Sequence, residues 1–354
     1  MPDKSKLTEG EKKLLQLKSD QPLDAGAATK LLEKYEQSFK LLKQGADEPE
    51  CEWGLDLNRG PGIPCPQAGG LEMVKLLCNL HARLCLERGN ASAAVDDLLL
   101  AFRVGPHFEQ PEFLINSLIR SATDSIAINF VLRHLSEFDA VSLQKLSGGI
   151  ATAKPPLPLH LAVANEGKIN NVYFNNVIAK AAGKPGWNWL APFFKEEKKK
   201  PEIREQPSVQ TITVNHGIAI KYLVYSVRRY EKKRVELERL MRLPYAEGKP
   251  QLQEFDREMK RNRWINGPFA LALPALSGAW FKEVHTEALR AILRVALSAQ
   301  IRDPGSVRGE LVKLHDPYDD GPLELRDAPD GVEVKMKAPP EMKPSTLMVG
   351  SAKK

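Results

Sequence analysis

Apolar residues recur at three- and four-residue intervals along most of this chain, and clusters of proline and glycine cut the pattern into pieces of helix length. A stripe with that period is buried against another helix, so the pattern predicts helix packed on helix. In the opening stretch Leu31, Leu32, Tyr35, Phe39 and Leu42 trace such a stripe, and residues 7–44 read as two helices. From Leu71 the run LEMVKLLCNLHARLCLERGNASAAVDDLLLAFRVGP reads as a helical hairpin turned at Gly89 and Asn90. Further helices are expected at 112–135, 140–146, 159–182, 217–243, 249–263 and 275–302. The expected class is all-α: about ten helices packed as antiparallel hairpins, partly repeat-like, with a small β-hairpin near the carboxyl end. That β-hairpin is predicted where short alternating runs flank Asp330 and Gly331.

Punctuation in the sequence sets the expected domains. Residues 1–194 read as an N-terminal helical domain containing the hairpin at 71–106. The stretch 195–208, KEEKKKPEIREQPS, reads as an exposed linker, because a charge block with two prolines neither packs nor stays helical. A C-terminal helical region, 209–336, follows. Its TITVNHG start is β-branched enough for a strand, although Asn215 also suits a helix cap. The tail 337–354 is expected to be disordered. At 354 residues, with 42% hydrophobic and 27% charged residues, the chain has the means to bury a sizeable core. Its net charge of +6 is spread too thinly to specify a partner.

Three stretches carry candidate chemistry. Cys78, His81 and Cys85 lie at spacings of three and four, which puts them on one helix face as weak candidate metal ligands. Against that, Cys78 and Cys85 lie roughly 10 Å apart by helical rise, and the three fall equally well on core positions. A tetratricopeptide-like register with Gly89 at the turn puts Ala82, Ala94, Leu98, Ala101 and Pro106 where that repeat has its small, large and breaker residues. The Gly/Pro-rich break from 47 to 70 brings together Cys51, Trp53, Asp56, Arg59 and Cys65. Trp53, Asp56 and Arg59 are the candidate binding residues; the plainer reading has Trp53 plugging a helix seam while Asp56 and Asn58 make turn hydrogen bonds. A Cys51–Cys65 disulfide is left open. Trp264 to Phe281 is an uncharged run with Trp near both ends, which suggests weak membrane-surface contact or, with Pro268 and Pro274 in it, a core helix.

Other motifs reduce to structure. Glu231, Glu236 and Glu238 interleave with the cations of residues 228–242, which predicts a self-compensated face and no nucleic-acid partner. DPYDDG at 316–321 has part of a calcium-loop pattern, but Tyr318 at its third position and Asp327 at its twelfth make a turn the better expectation. The sequence contains no P-loop, GxSxG elbow, HExxH or dinucleotide fingerprint, so no catalytic residue, metal or cofactor is expected.

The segments CEWGLDLNRGP, ARLCLERGNASAAVDDLLLAFRVG, RLPYAEG and HDPYDDGPLEL, in that order, resemble a group of uncharacterised bacterial α-helical proteins. The long apolar helix followed by DPYDDGPLELRDAPDGVEV is similar to the end of pilin-like secretion proteins. Relatives in the helical group often begin with a membrane anchor, which implies the cell envelope for a trimmed chain; the charged start MPDKSKLTEGEKK by itself points to the cytoplasm. The expected function is a non-enzymatic scaffold that binds another protein or a peptide. The alternatives are an enzyme or ligand binder with a pocket at the 51–66 loop, or an envelope-associated protein related to secretion.

Overall fold

The computed structural model describes residues 7–17, 21–182, 216–261, 276–329, 331–337 and 345–350. Among them are twelve α-helices and one three-stranded antiparallel sheet, so the all-α class with a small C-terminal sheet holds.

The opening segment forms three helices where two were expected: α1 (Glu9–Leu15), α2 (Ala25–Lys34) and α3 (Glu36–Ala46). Local chemistry starts them. Thr8 and Glu11 close a reciprocal capping box on α1, and Asp24 accepts from the Ala27 amide at the start of α2. Tyr35, with φ −110° and ψ 10°, leaves the helical region and separates α2 from α3. Leu31, Leu32 and Tyr35 then pack on Met73, Leu77 and Leu84 of α4 (Pro66–Glu87).

Helix α4 turns back on α5 (Ala91–Phe108) at Gly89, whose φ of +74° favours glycine, and Asn90 caps α5 by accepting from the Ala93 amide. Ala82, Ala94, Leu98 and Ala101 are all fully buried. Pro106 does not act as the expected breaker, because α5 continues through it to Phe108.

The central element is α6 (Leu114–Arg133), which packs against α4, α5, α8 (Leu159–Ala182) and α11 (Ser277–Arg302). Unusually, it buries a polar stripe: Asn116, Ser117, Arg120, Ser121, Thr123 and Asp124 are all enclosed. Arg120 and Asp124, one turn apart, anchor a buried ion network. Asp124 binds Lys75 of α4 and Arg290 of α11, and Arg120 donates to Glu109 at 2.8 Å and to the Lys154 carbonyl. Glu109 in turn accepts from the Leu157 amide at 2.7 Å. Burial disfavours the Asp124 carboxylate, but Lys75, Arg120 and Arg290 around it outweigh that and hold it below the usual range. Gly105 of α5 makes room, since a Cβ there would stand 2.8 Å from Arg120 Nε.

The remaining helices are α7 (Ala140–Thr152), α9 (His216–Leu240), α10 (Tyr245–Arg261) and α12 (Val307–Leu311). The largest apolar cluster runs from Ala82 to Val349, so helices before and after residues 195–208 share it. The basic helix α9 is self-compensated as expected: Arg234 bridges Glu231 and Glu238, and Lys233 reaches Glu236 at 2.9 Å and Glu258 at 2.5 Å. At the start of α8 the Leu159 amide donates to Glu283 at 2.6 Å; burial, with Glu287 nearby, pushes this carboxyl up to about 7.

The sheet corrects the reading of the carboxyl end. Strands β1 (Glu324–Ala328) and β2 (Gly331–Met336) form the expected hairpin, but β3 (Ser345–Gly350) pairs with β2 inside the tail expected to be disordered. Leu347 and Val349 of β3 are buried beside Val334 and Met336, and this burial makes the strand worth ordering. Before the sheet, Asp316 accepts from the Tyr318 and Lys337 amides and Asp319 from the Gly321 amide, so DPYDDG is a turn.

The 195–208 linker and the TITVN stretch lie outside the described residues, as do residues 264–275 of the uncharged run. The described end of that run faces inward: Leu276, Trp280 and Phe281 are buried, with Trp280 against Tyr245 and Phe281 stacked on Tyr318 at 4.9 Å. No helix among the described residues is long and apolar enough to cross a membrane.

Two predictions follow from the buried charges. Asp124→Asn leaves Lys75, Arg120 and Arg290 facing a neutral group and should cost about 3–5 kcal/mol in urea unfolding; a cost below about 1 kcal/mol would remove the network from its central role. Glu283 has a folded-state pKa above its ordinary 4.5, so between pH 4.5 and 7 the folded chain holds the extra proton and stability falls as pH rises. Glu283→Gln should lessen that fall, read as the difference between variant and parent unfolding curves across the window.

Candidate functional site

A groove opens where α3 passes over α4 and the end of α5. The loop that follows α3 closes one side, anchored by Trp53, whose indole N–H donates to the His107 carbonyl at 2.8 Å and whose ring packs on Phe108 at 5.4 Å. The cavity holds about 390 Å³, with Phe39, Leu42, Val74, Leu77 and Val104 among its apolar walls. Leu41 at the rim is 58% exposed and extends the apolar wall to the surface.

Charge is confined to the edge. Asp47 is paired with Arg103 at 3.0 Å, whereas Glu48 and Glu50, both exposed and both lining the groove, have no ion pair among the described residues. The groove is thus an apolar trough with an acidic lip. Cys51 also lines it, and burial pushes its thiol up, away from reactivity at neutral pH.

The three candidate binding residues of the loop separate. Trp53 lines the groove, but Asp56 and Arg59 do not. Asp56 accepts from the Asn58 amide at 3.1 Å and from its side chain at 3.2 Å, starting a 3₁₀ turn over Leu57–Gly62, and Arg59 is exposed. Gly60 in that turn, at φ +56°, sits so close to Tyr173 that a Cβ would fall 2.3 Å from its ring, which seats the loop on α8. Cys51 and Cys65 are free thiols, as are Cys78 and Cys85.

Nor does the structure gather Cys78, His81 and Cys85 as a set. Cys78 is fully buried among Leu71, Val104 and Phe108. His81 and Cys85 instead meet Asp97 of α5: Nδ1 of His81 lies 2.5 Å from Asp97 Oδ2, and Cys85 Sγ lies 4.0 Å from Nε2. Ligand atoms of these three residues lie within 4.8 Å of one another. The cluster borders the groove through Phe39, whose ring is 5.9 Å from that of His81.

Nothing in the spacing along the chain ties Asp97 to His81; only the hairpin pairing turns it toward α4. The groove residues of α3 and α5 were visible as stripes, but not their convergence. Lys75 inside the apolar run LEMVKLLCNL was the one local signal of the buried network.

Comparisons with protein-family models, curated proteins and solved structures found no match.

Trp53→Ala should release the loop, raising amide hydrogen exchange over residues 47–56 while α6 amides stay protected. Unchanged exchange in that stretch would show that other contacts hold the loop.

Proposed function

We propose that this protein is a non-enzymatic helical interaction module that receives an amphipathic helical segment of another protein in the groove between α3, α4, α5 and the 47–56 loop. The observation that carries this reading is an apolar trough of about 390 Å³ with Leu41 exposed at its edge and, on its lip, the carboxylates Glu48 and Glu50, which form no ion pair among the described residues. A helix that lays apolar residues at i, i+3 or i+4, and i+7 into such a trough buries them, and a Lys or Arg on its flank meets the lip. The tetratricopeptide-like register of the α4–α5 hairpin belongs to the same proposal, since hairpins of that kind are used to present grooves.

A second reading, a small apolar ligand, is favoured by the volume, which falls within the roughly 300–1,000 Å³ of small-molecule sites. Selection from a displayed library of random helical peptides separates the two. The interaction reading expects enriched peptides with an apolar stripe and at least one basic residue. Their binding should weaken tenfold or more in Leu41→Glu and more modestly in the double variant Glu48→Gln, Glu50→Gln. No enrichment, or peptides indifferent to Leu41→Glu, would overturn it; anilinonaphthalene sulfonate bound in the groove and displaced by no selected peptide would favour the small ligand.

A further inference from the structure

We propose that His81 and Cys85 bind a thiophilic divalent cation of the zinc class, with Asp97 orienting the imidazole and balancing the charge. The two ligands stand one turn apart on α4, and their position follows from the helix alone. Asp97 comes from the facing helix α5, so the site exists only when the hairpin is closed.

The geometry suits an ion. Asp97 Oδ2 lies 2.5 Å from Nδ1 and Cys85 Sγ 4.0 Å from Nε2, so the tautomer with its proton on Nδ1 turns the Nε2 lone pair toward the sulfur. An ion bound tetrahedrally at about 2.0 Å from nitrogen and 2.3 Å from sulfur sets those atoms roughly 3.5 Å apart. A shift of a few tenths of an ångström therefore seats it. The order carboxylate, imidazole, metal is the arrangement by which outer carboxylates orient histidine ligands.

Charge is the second argument. Asp97 is only 2% exposed, and no lysine or arginine among the described residues forms an ion pair with it. A dication on Nε2 places fixed positive charge one imidazole away from this buried carboxylate, beside the Asp97–His81 contact at 2.5 Å. Access is the third. The His81 side chain is 38% exposed, which gives the ion a route in and leaves positions for water. Cys85, at 8% exposure, is too enclosed to serve instead as a nucleophile toward a carbonyl substrate. On binding, the Cys85 thiol gives its proton to solvent and its sulfur lone pair to the cation, without change of oxidation state.

The test is titration of the reduced, metal-free full chain with cobalt(II), followed by zinc. A thiolate-to-cobalt charge-transfer absorption should rise to saturation at about one equivalent and disappear when zinc displaces the cobalt. Cys85→Ser should abolish the band, Asp97→Asn should weaken cobalt affinity by about 10–100-fold, and Cys51→Ser and Cys65→Ser should leave both unchanged. His81→Asn, at a half-exposed position, provides a second loss variant if Cys85→Ser does not fold by circular dichroism. Absence of the band in the parent chain, or its survival in a folded Cys85→Ser or His81→Asn variant, would overturn the proposal.

Discussion

The structure depends on one carboxylate. Asp124 sits at no measurable exposure in the centre of α6 and draws in Lys75 from α4 and Arg290 from α11, while Arg120 beside it reaches Glu109 at the end of α5 and the Lys154 carbonyl. Three helices and two loop carbonyl or amide groups are thereby tied to a point that hydrophobic packing alone would leave free to slide. Apolar contacts are non-directional, so they drive the helices together without choosing their register. A buried ion network tolerates little displacement, because every lost partner leaves a charge out of water. Gly105 is part of the same device, its missing side chain leaving the guanidinium space to pass.

That frame explains where the exposed features lie. The α4–α5 hairpin turns one side toward α6 and the ion network, and its other positions border α2 and α3. The groove lies on these outer positions, and the partly exposed His81 meets it through Phe39. A helix pair clamped on one side offers the other as a rigid wall, and rigid walls hold a ligand without the entropy cost of ordering them. Of the short opening helices, α1 and α2 are capped by Thr8 and Asp24, and α3 forms one wall of the groove.

Much of the helical frame was legible in the residues. The stripes at 31–42, the turn at Gly89 and Asn90 and the compensated charges of α9 each follow from local periodicity and capping. The tail strand was not legible, since STLMVG between lysines and prolines carries too little pattern until β2 supplies a partner with Val334 and Met336 alongside it. The candidate site was legible only in part. Trp53 stood out as an aromatic in a loop and does line the groove, but Asp56 and Arg59 were singled out with it by proximity along the chain, and their side chains serve a turn and solvent. Cys78 shared a helix face with His81 and Cys85 in projection, but its side chain packs in a separate apolar cluster.

What the sequence determined by itself is the class of structure: three- and four-residue spacing makes helices that must pack on helices, and a glycine with an asparagine makes the hairpin between two of them. What only the tertiary structure decided is which polar groups meet. Lys75, Arg120, Asp124 and Arg290 span more than 200 residues of chain, as separate positions on three helices, and Asp97 meets His81 across a hairpin. Periodicity reports which face of a helix turns inward, but not which residue waits on the facing helix; that pairing is set by the docking of whole elements, where burial makes an unmatched charge too costly to keep.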